Sequence, residues 1–71
     1  MNPQHKEILL LIWEHVKAFT FSKGLSNTCF ITLDNNYAIE IKDNNVLIIT
    51  KNNTKHCTID TAKQLLNKLF N

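Results

Sequence analysis

One short spelling occurs three times in the middle of this chain. Leu33-Asp34-Asn35-Asn36-Tyr37 returns nine residues later as Lys42-Asp43-Asn44-Asn45-Val46, and a weaker copy, Lys51-Asn52-Asn53-Thr54, follows after another nine. Asp and Asn bond nearby backbone through short side chains and tolerate positive φ, so each copy marks a turn. The segments between the copies are rich in Ile, Val, Leu, Phe, Tyr and Thr, the residues that favour a pleated, half-buried surface. The centre of the chain therefore reads as a meander of antiparallel strands joined by tight turns.

Requiring apolar residues to share one face sets the register. With three loop residues in each Asp-Asn-Asn turn, a type I turn ends in a left-handed residue, Asn36 or Asn45, and forms a bulge. Leu33 then faces Tyr37, Ile31 faces Ile39 and Cys29 faces Ile41. Across the second turn Ile41 faces Leu47, Ile39 faces Ile49 and Tyr37 faces Lys51. A two-residue second turn would set Ile41 against Ile48 and push Leu47 and Ile49 outward, opposite Lys42 and Glu40. The three-residue choice makes both hairpins agree on one apolar face. A further loop over Asn52 to Thr54 would put Cys57 and Ile59 on that face in a short last strand.

Helices are expected at both ends. Asn2 suits an N-cap and Pro3 the first helical position. The first helix is predicted to run to about Ser22, with Gly24 suited to its end. At 100° per residue His5, Ile8, Ile12, Val16 and Phe19 share a face, flanked by Leu9 and Leu11. The closing helix is capped by Asp60 or Thr61, with Thr61-x-x-Gln64 matching a capping box. Its apolar stripe is Ala62, Leu65, Leu66, Leu69 and Phe70. The expected fold class is α+β: a first helix, a three- to four-stranded antiparallel meander and a second helix. Both helices pack on one face of the sheet, in a single domain over residues 1–71.

The chemistry that such a chain can carry is narrow. Its 71 residues bury only about 60% of the surface exposed on unfolding, with no room for a deep cleft and its supporting shell. Cys29 and Cys57 are its two thiols, without the clustered spacing of a zinc site. They fall three interstrand steps of about 4.8 Å apart, too far for a disulfide, and read as small core hydrophobes. His5, His15 and His56 are scattered, and no third group orients a Cys-His pair. Asp34, Asp43 and Asp60 are explained by turns and a cap, and Glu7, Glu14 and Glu40 are isolated. Gly24 is the lone glycine, so there is no glycine-rich phosphate loop. Neither enzymatic activity nor any cofactor or metal is expected.

The cations are eight lysines and no arginine, against six acids. A net charge of +2 is no electrostatic footprint by itself. The lack of Arg removes the preferred bidentate ligand of phosphate and guanine. No segment approaches the roughly 18 apolar residues of a membrane span. The run Ile8 to Trp13 is bracketed by Glu7 and Glu14, and no small-residue cleavage site follows it. A cytoplasmic protein without membrane contact is the expectation, which leaves the sequon Asn52-Asn53-Thr54 inert. Ten Asn residues, with abundant Lys and Ile, point to an A/T-rich gene.

Two surfaces stand out. Lys6, Leu10, Trp13 and Lys17 are spaced as one stripe on the outer side of the first helix, where Trp13 and Leu10 could anchor a protein partner. The bland alternative is that Trp13 wraps the margin of a small core. The second surface is the outer sheet face: Phe30, Glu40, Lys42, Val46 and Ile48 among Thr28, Thr32, Ala38, Thr50 and Thr58. That face suits a partner or a homodimer, or is an ordinary solvated β surface.

In order of elements, α-β-β-β-α in about 70 residues, the chain resembles the double-stranded-RNA-binding domain. The resemblance implies RNA laid across the first helix and the start of the second. Lys51, Lys55 and Lys63 thinly echo that family's lysine cluster, and Lys68 extends the set. The acidic loop Asp34-Asn35-Asn36 stands where the family carries a histidine-bearing loop. The leading expectation is a non-enzymatic module that binds another protein. An accessory protein of a phage or mobile element that inhibits a host defence complex, such as an anti-CRISPR protein, is one concrete version. Nucleic-acid binding through the lysines, and dimerisation through the open sheet face, are the alternatives.

Overall fold

A computed structural model of the chain describes residues 2–70. The order is α1 (Pro3–Leu11), a 3-10 turn (Trp13–His15), β1 (Val16–Lys23), β2 (Asn27–Leu33), β3 (Ala38–Lys42), β4 (Asn45–Ile49), β5 (Thr54–Thr58) and α2 (Ile59–Phe70). All neighbouring strands are antiparallel, in the spatial order β1-β2-β3-β4-β5. The α+β class and the meander are as the sequence predicts. The sheet has five strands rather than three or four, because residues 16–23 form a strand where a helix was predicted.

The first helix starts as expected and stops early. The Asn2 side-chain oxygen accepts a hydrogen bond from the Gln4 amide at 2.8 Å, and Pro3 occupies the first turn. At Ile12 the backbone leaves helical geometry, with φ −114° and ψ 16°. Val16, Phe19, Thr20 and Phe21 follow, all residues that favour strands. Their alternation with Ala18 and Ser22 fits a strand as well as Val16 and Phe19 fit a helical face. Pairing with β2, register Phe19–Ile31 and Phe21–Cys29, decides for the strand.

The three Asp/Asn copies build three different turns. Asp34-Asn35-Asn36 has the predicted three-residue length and a left-handed Asn36 (φ 64°), but Asn35 is left-handed as well (φ 61°, ψ 22°), so the loop is not the expected type I turn. Leu33 donates to the Tyr37 carbonyl at 2.8 Å, and Ile31 faces Ile39 as expected. The second copy departs from the expected register. Its loop is the two residues Asp43 and Asn44, with the positive φ (53°) at Asp43 and not at Asn45. Ile41 therefore faces Val46 and Ile39 faces Ile48, while Leu47 lies opposite Glu40 and Ile49 opposite Ala38. Val46 and Ile48 point into the core, and Leu47 and Ile49 point outward. The third copy closes when the Thr50 amide and hydroxyl both donate to the Asn53 carbonyl, at 2.8 and 3.1 Å.

Tertiary bonds hold the second turn in place. The Asp43 carboxylate accepts from the Asn27 amide at 3.1 Å, and the Asp43 carbonyl accepts from His5 Nε2 at 2.8 Å. The carbonyl can only accept, so Nε2 carries the proton. His5 is thus a fully buried polar side chain with its bond made, joining α1 to the far end of β3 and β4.

One cluster forms the core. It joins Ile8, Leu9 and Ile12 to Ile59, Ala62 and Leu66 over the inward residues Cys29, Ile31, Leu33, Ile39, Ile41, Val46 and Ile48. The helices touch each other, and α2 lies over β4 and β5. Ile59, expected in the last strand, opens α2 instead. The cap is Thr58, whose hydroxyl oxygen accepts from the Thr61 amide at 3.3 Å, and not Asp60 or Thr61. Phe70 ends the helix beside His15 and Tyr37, with ring centroids 4.7 and 6.2 Å away.

Single lysines test the hairpin register. Val46→Lys puts a charge in the core and is expected to cost about 3 kcal/mol or more. Leu47→Lys, on the outer face, is expected to cost about 1 kcal/mol or less. Urea unfolding of the two variants measures the difference, and a three-residue turn would reverse it.

Candidate protein-binding surface

The sheet is wider than its roof. Two helices, each about 10 Å across with side chains, cover roughly four strands spaced about 4.8 Å apart. With α2 over β4 and β5, the strand left at the margin is β1. Phe19 and Phe21 lie on the helix-facing side, opposite Ile31 and Cys29. Yet they are 39% and 42% exposed, while Ile31 and Cys29 are buried.

Trp13 extends this aromatic row. Its ring centroid is 5.8 Å from that of Phe19, which is 5.3 Å from that of Phe21, in tilted geometry. Trp13 is 52% exposed and Leu10 is also exposed. Both line a shallow recess with Leu11, Glu14 and His15. At the other end of the row Phe21 borders a recess of about 200 Å³ with Asn2, His5, Lys23 and Asn27. Leu10, Trp13, Phe19 and Phe21 thus form a shelf along the β1 side of the molecule. Leu25, wholly exposed in the β1–β2 turn, lies just beyond the end of the strand.

The stripe Lys6, Leu10, Trp13 and Lys17 is only partly assembled. Lys6 and Leu10 lie on α1, Trp13 on the 3-10 turn, and Lys17 at the bulge where β1 shifts register between Val16 and Ala18. Trp13 is a surface residue and does not close over the core. Phe19 and Phe21 were missed because the helical reading put Phe19 inward and gave Phe21 no role. The signal that could have found them is the alternation of Phe19 and Phe21 with Ala18, Thr20 and Ser22.

The outer sheet face is re-registered. Phe30, Glu40 and Lys42 lie on it, whereas Val46 and Ile48 are buried beneath the helices. The row across its centre is Thr20, Phe30, Glu40, Leu47 and His56. Of the apolar residues there, Leu47 and Ile49 adjoin on β4 beside Ala38, and Glu40 separates Phe30 from Leu47.

The lysines proposed for nucleic acid are distributed over several elements. Lys51 lies in the β4–β5 turn and Lys55 on β5. Lys55 lines a second recess, between β5 and α2, with Ile48, Leu65 and Leu69. Lys63 donates to Glu7 across the two helices, and this bond raises its pKa above the ordinary lysine value. Lys68 is exposed near the end of α2. The element order also departs from that of the double-stranded-RNA-binding domain, since two further strands, β1 and β5, flank the central three.

Both thiols are free. Burial pushes the pKa of each upward, and at Cys57 the Lys55 ammonium works in the opposite direction. Among the described residues no three His, Cys, Asp or Glu side chains are grouped to hold a metal ion. Among them, too, no helix is long and apolar enough to cross a membrane. Comparison of the chain with family models, curated proteins and solved structures gave no match.

Thiol and indole accessibility check this geometry. Cys57 is expected to react with a disulfide reagent before Cys29, which should react only at the rate of unfolding. Acrylamide is expected to quench Trp13 strongly in the native protein, and Phe19→Ala to cost about 1 kcal/mol or less. Weak quenching that rises only on unfolding would put Trp13 in the core.

Proposed function

We propose that the protein is a non-enzymatic protein-binding module whose contact surface is the shelf of Leu10, Trp13, Phe19 and Phe21. The observation that supports this reading is the continuous row of exposed aromatic rings on one side of a 71-residue chain. Rigid aromatic side chains give much contact area for little lost conformational entropy, and Trp is enriched among residues that dominate binding energy. The neighbouring lysines Lys6, Lys17 and Lys23 supply a charged rim. Within this class, small size and an A/T-rich gene favour an accessory protein of a phage or mobile element that occludes a surface of a host complex. The outer face, with its apolar residues interrupted by Glu40, supports dimerisation less well than the shelf supports a partner.

Site-specific photocrosslinking in the native host tests this. Benzoylphenylalanine in place of Leu10 is expected to capture one protein, and the same probe in place of Glu40 is not. The purified partner should bind the Trp13→Ala, Phe19→Ala double variant at least about tenfold more weakly, with an unchanged circular dichroism spectrum. Capture from position 40 alone, or full affinity in the double variant, would reject the shelf as the contact surface.

A further inference from the structure

We infer that the shelf receives its partner as an added β-strand: an extended acidic–x–apolar–x–apolar segment, paired antiparallel to the free edge of β1. The inference rests on the protein-binding reading above and specifies how the partner is held.

The backbone supplies the first argument. Leu33 donates to Tyr37, and the Asn27 carbonyl accepts from Asp43 at 2.9 Å, so odd-numbered residues of β2 bond toward β3. Alternation leaves Thr28, Phe30 and Thr32 to bond toward β1, where they pair with Ser22, Thr20 and Ala18. The amides and carbonyls of Phe19, Phe21 and Lys23 then point away from the sheet. No described strand lies on that side. An open edge beside exposed apolar rings is a template for another strand.

The side chains fix the chemistry of that strand. A residue opposite Phe19 or Phe21 would sit on the helix-facing side, beside the aromatic row, and is apolar. A residue opposite Lys23 would lie on the same side, over the recess bordered by Lys23 and Phe21. Among the described residues Lys23 and Lys17 take part in no ion pair, so an acid is favoured there. In an antiparallel strand the acid comes first, then the apolar residues two and four positions on.

The same features disfavour the other occupants. In a second copy of this chain the pairing strand would be β1 itself, which carries no acid, so Lys23 would meet no opposite charge across the strand pair. A lipid surface suits the aromatic rings and lysines. However, it would desolvate the edge amides and carbonyls beside those rings without offering partners.

The test is a titration of the ¹⁵N-labelled full chain with the peptide Thr-Glu-Thr-Val-Thr-Val-Thr. Two control peptides are used: one with Lys for Glu, and one N-methylated at both Val residues. Shifts are expected at the amides of Phe19, Phe21 and Lys23, together with slowed exchange there. The N-methylated peptide should not bind, and Lys23→Glu should move the preference about fivefold toward the Lys peptide. No shifts at millimolar peptide, or shifts indifferent to N-methylation, would overturn strand addition. So would peptide-free shifts at these amides that grow with protein concentration, or binding of phosphatidylglycerol vesicles through them. Should the photocrosslinked partner still need Trp13 while Lys23→Glu and the N-methylated peptide behave like their references, strand addition fails and the protein-binding reading stands.

Discussion

The mismatch between a five-stranded sheet and a roof of two short helices governs the rest of this structure. α1 has only 9 residues and α2 only 12. Together they bury the inward residues of β2, β3 and β4 almost completely, and they leave the β1 side half covered. Among the described residues no third helix covers the gap. The exposed rings of Trp13, Phe19 and Phe21 follow from that geometry. The free edge follows from the strand order, in which β1 is one of the two edge strands and the one farther from α2.

Connections at the ends of the sheet keep this small core aligned. His5 reaches the Asp43 carbonyl, and Asp43 in turn accepts from Asn27, so α1, the β3–β4 turn and the start of β2 are tied at one end. At the other end Phe70 meets His15 and Tyr37, and His15 Nδ1 stands 3.8 Å from Asp34. Glu7 and Lys63 bridge the two helices on the surface. An exposed ion pair is largely screened by solvent, whereas a buried side chain stripped of its hydrogen bond costs about 1–3 kcal/mol. The His5–Asp43 contact is therefore the more consequential tie.

Local chemistry made part of this fold legible. The Asn2-Pro3 start, the place and length of the Asp34 to Asn36 loop and the β2–β3 register needed only capping and turn rules. The stripe of α2 needed only its helical period. What could not be read had two equally good local solutions. Val46 to Ile49 is an unbroken apolar run, so either alternation yields an apolar face. The choice fell to Asp43, whose positive φ is anchored by Asn27 and His5, residues 16 and 38 positions away. Residues 12–22 likewise satisfy a helical and a strand pattern at once, and a long-range partner, β2, settles it. The candidate site inherits that ambiguity: Leu10 and Trp13 were legible as exposed apolar residues, but Phe19 and Phe21 were hidden by the wrong period.

Everything proposed for the shelf depends on β1 being a strand with one bonded and one open edge. Amide hydrogen exchange resolved by residue over 16–23, on the free protein, tests this most directly. The account predicts alternation: slow exchange at Ala18, Thr20 and Ser22, which bond to β2, and fast exchange at Phe19, Phe21 and Lys23, which face solvent. Uniform protection from Trp13 to Ser22, with helical Cα shifts, would contradict it and restore a long first helix.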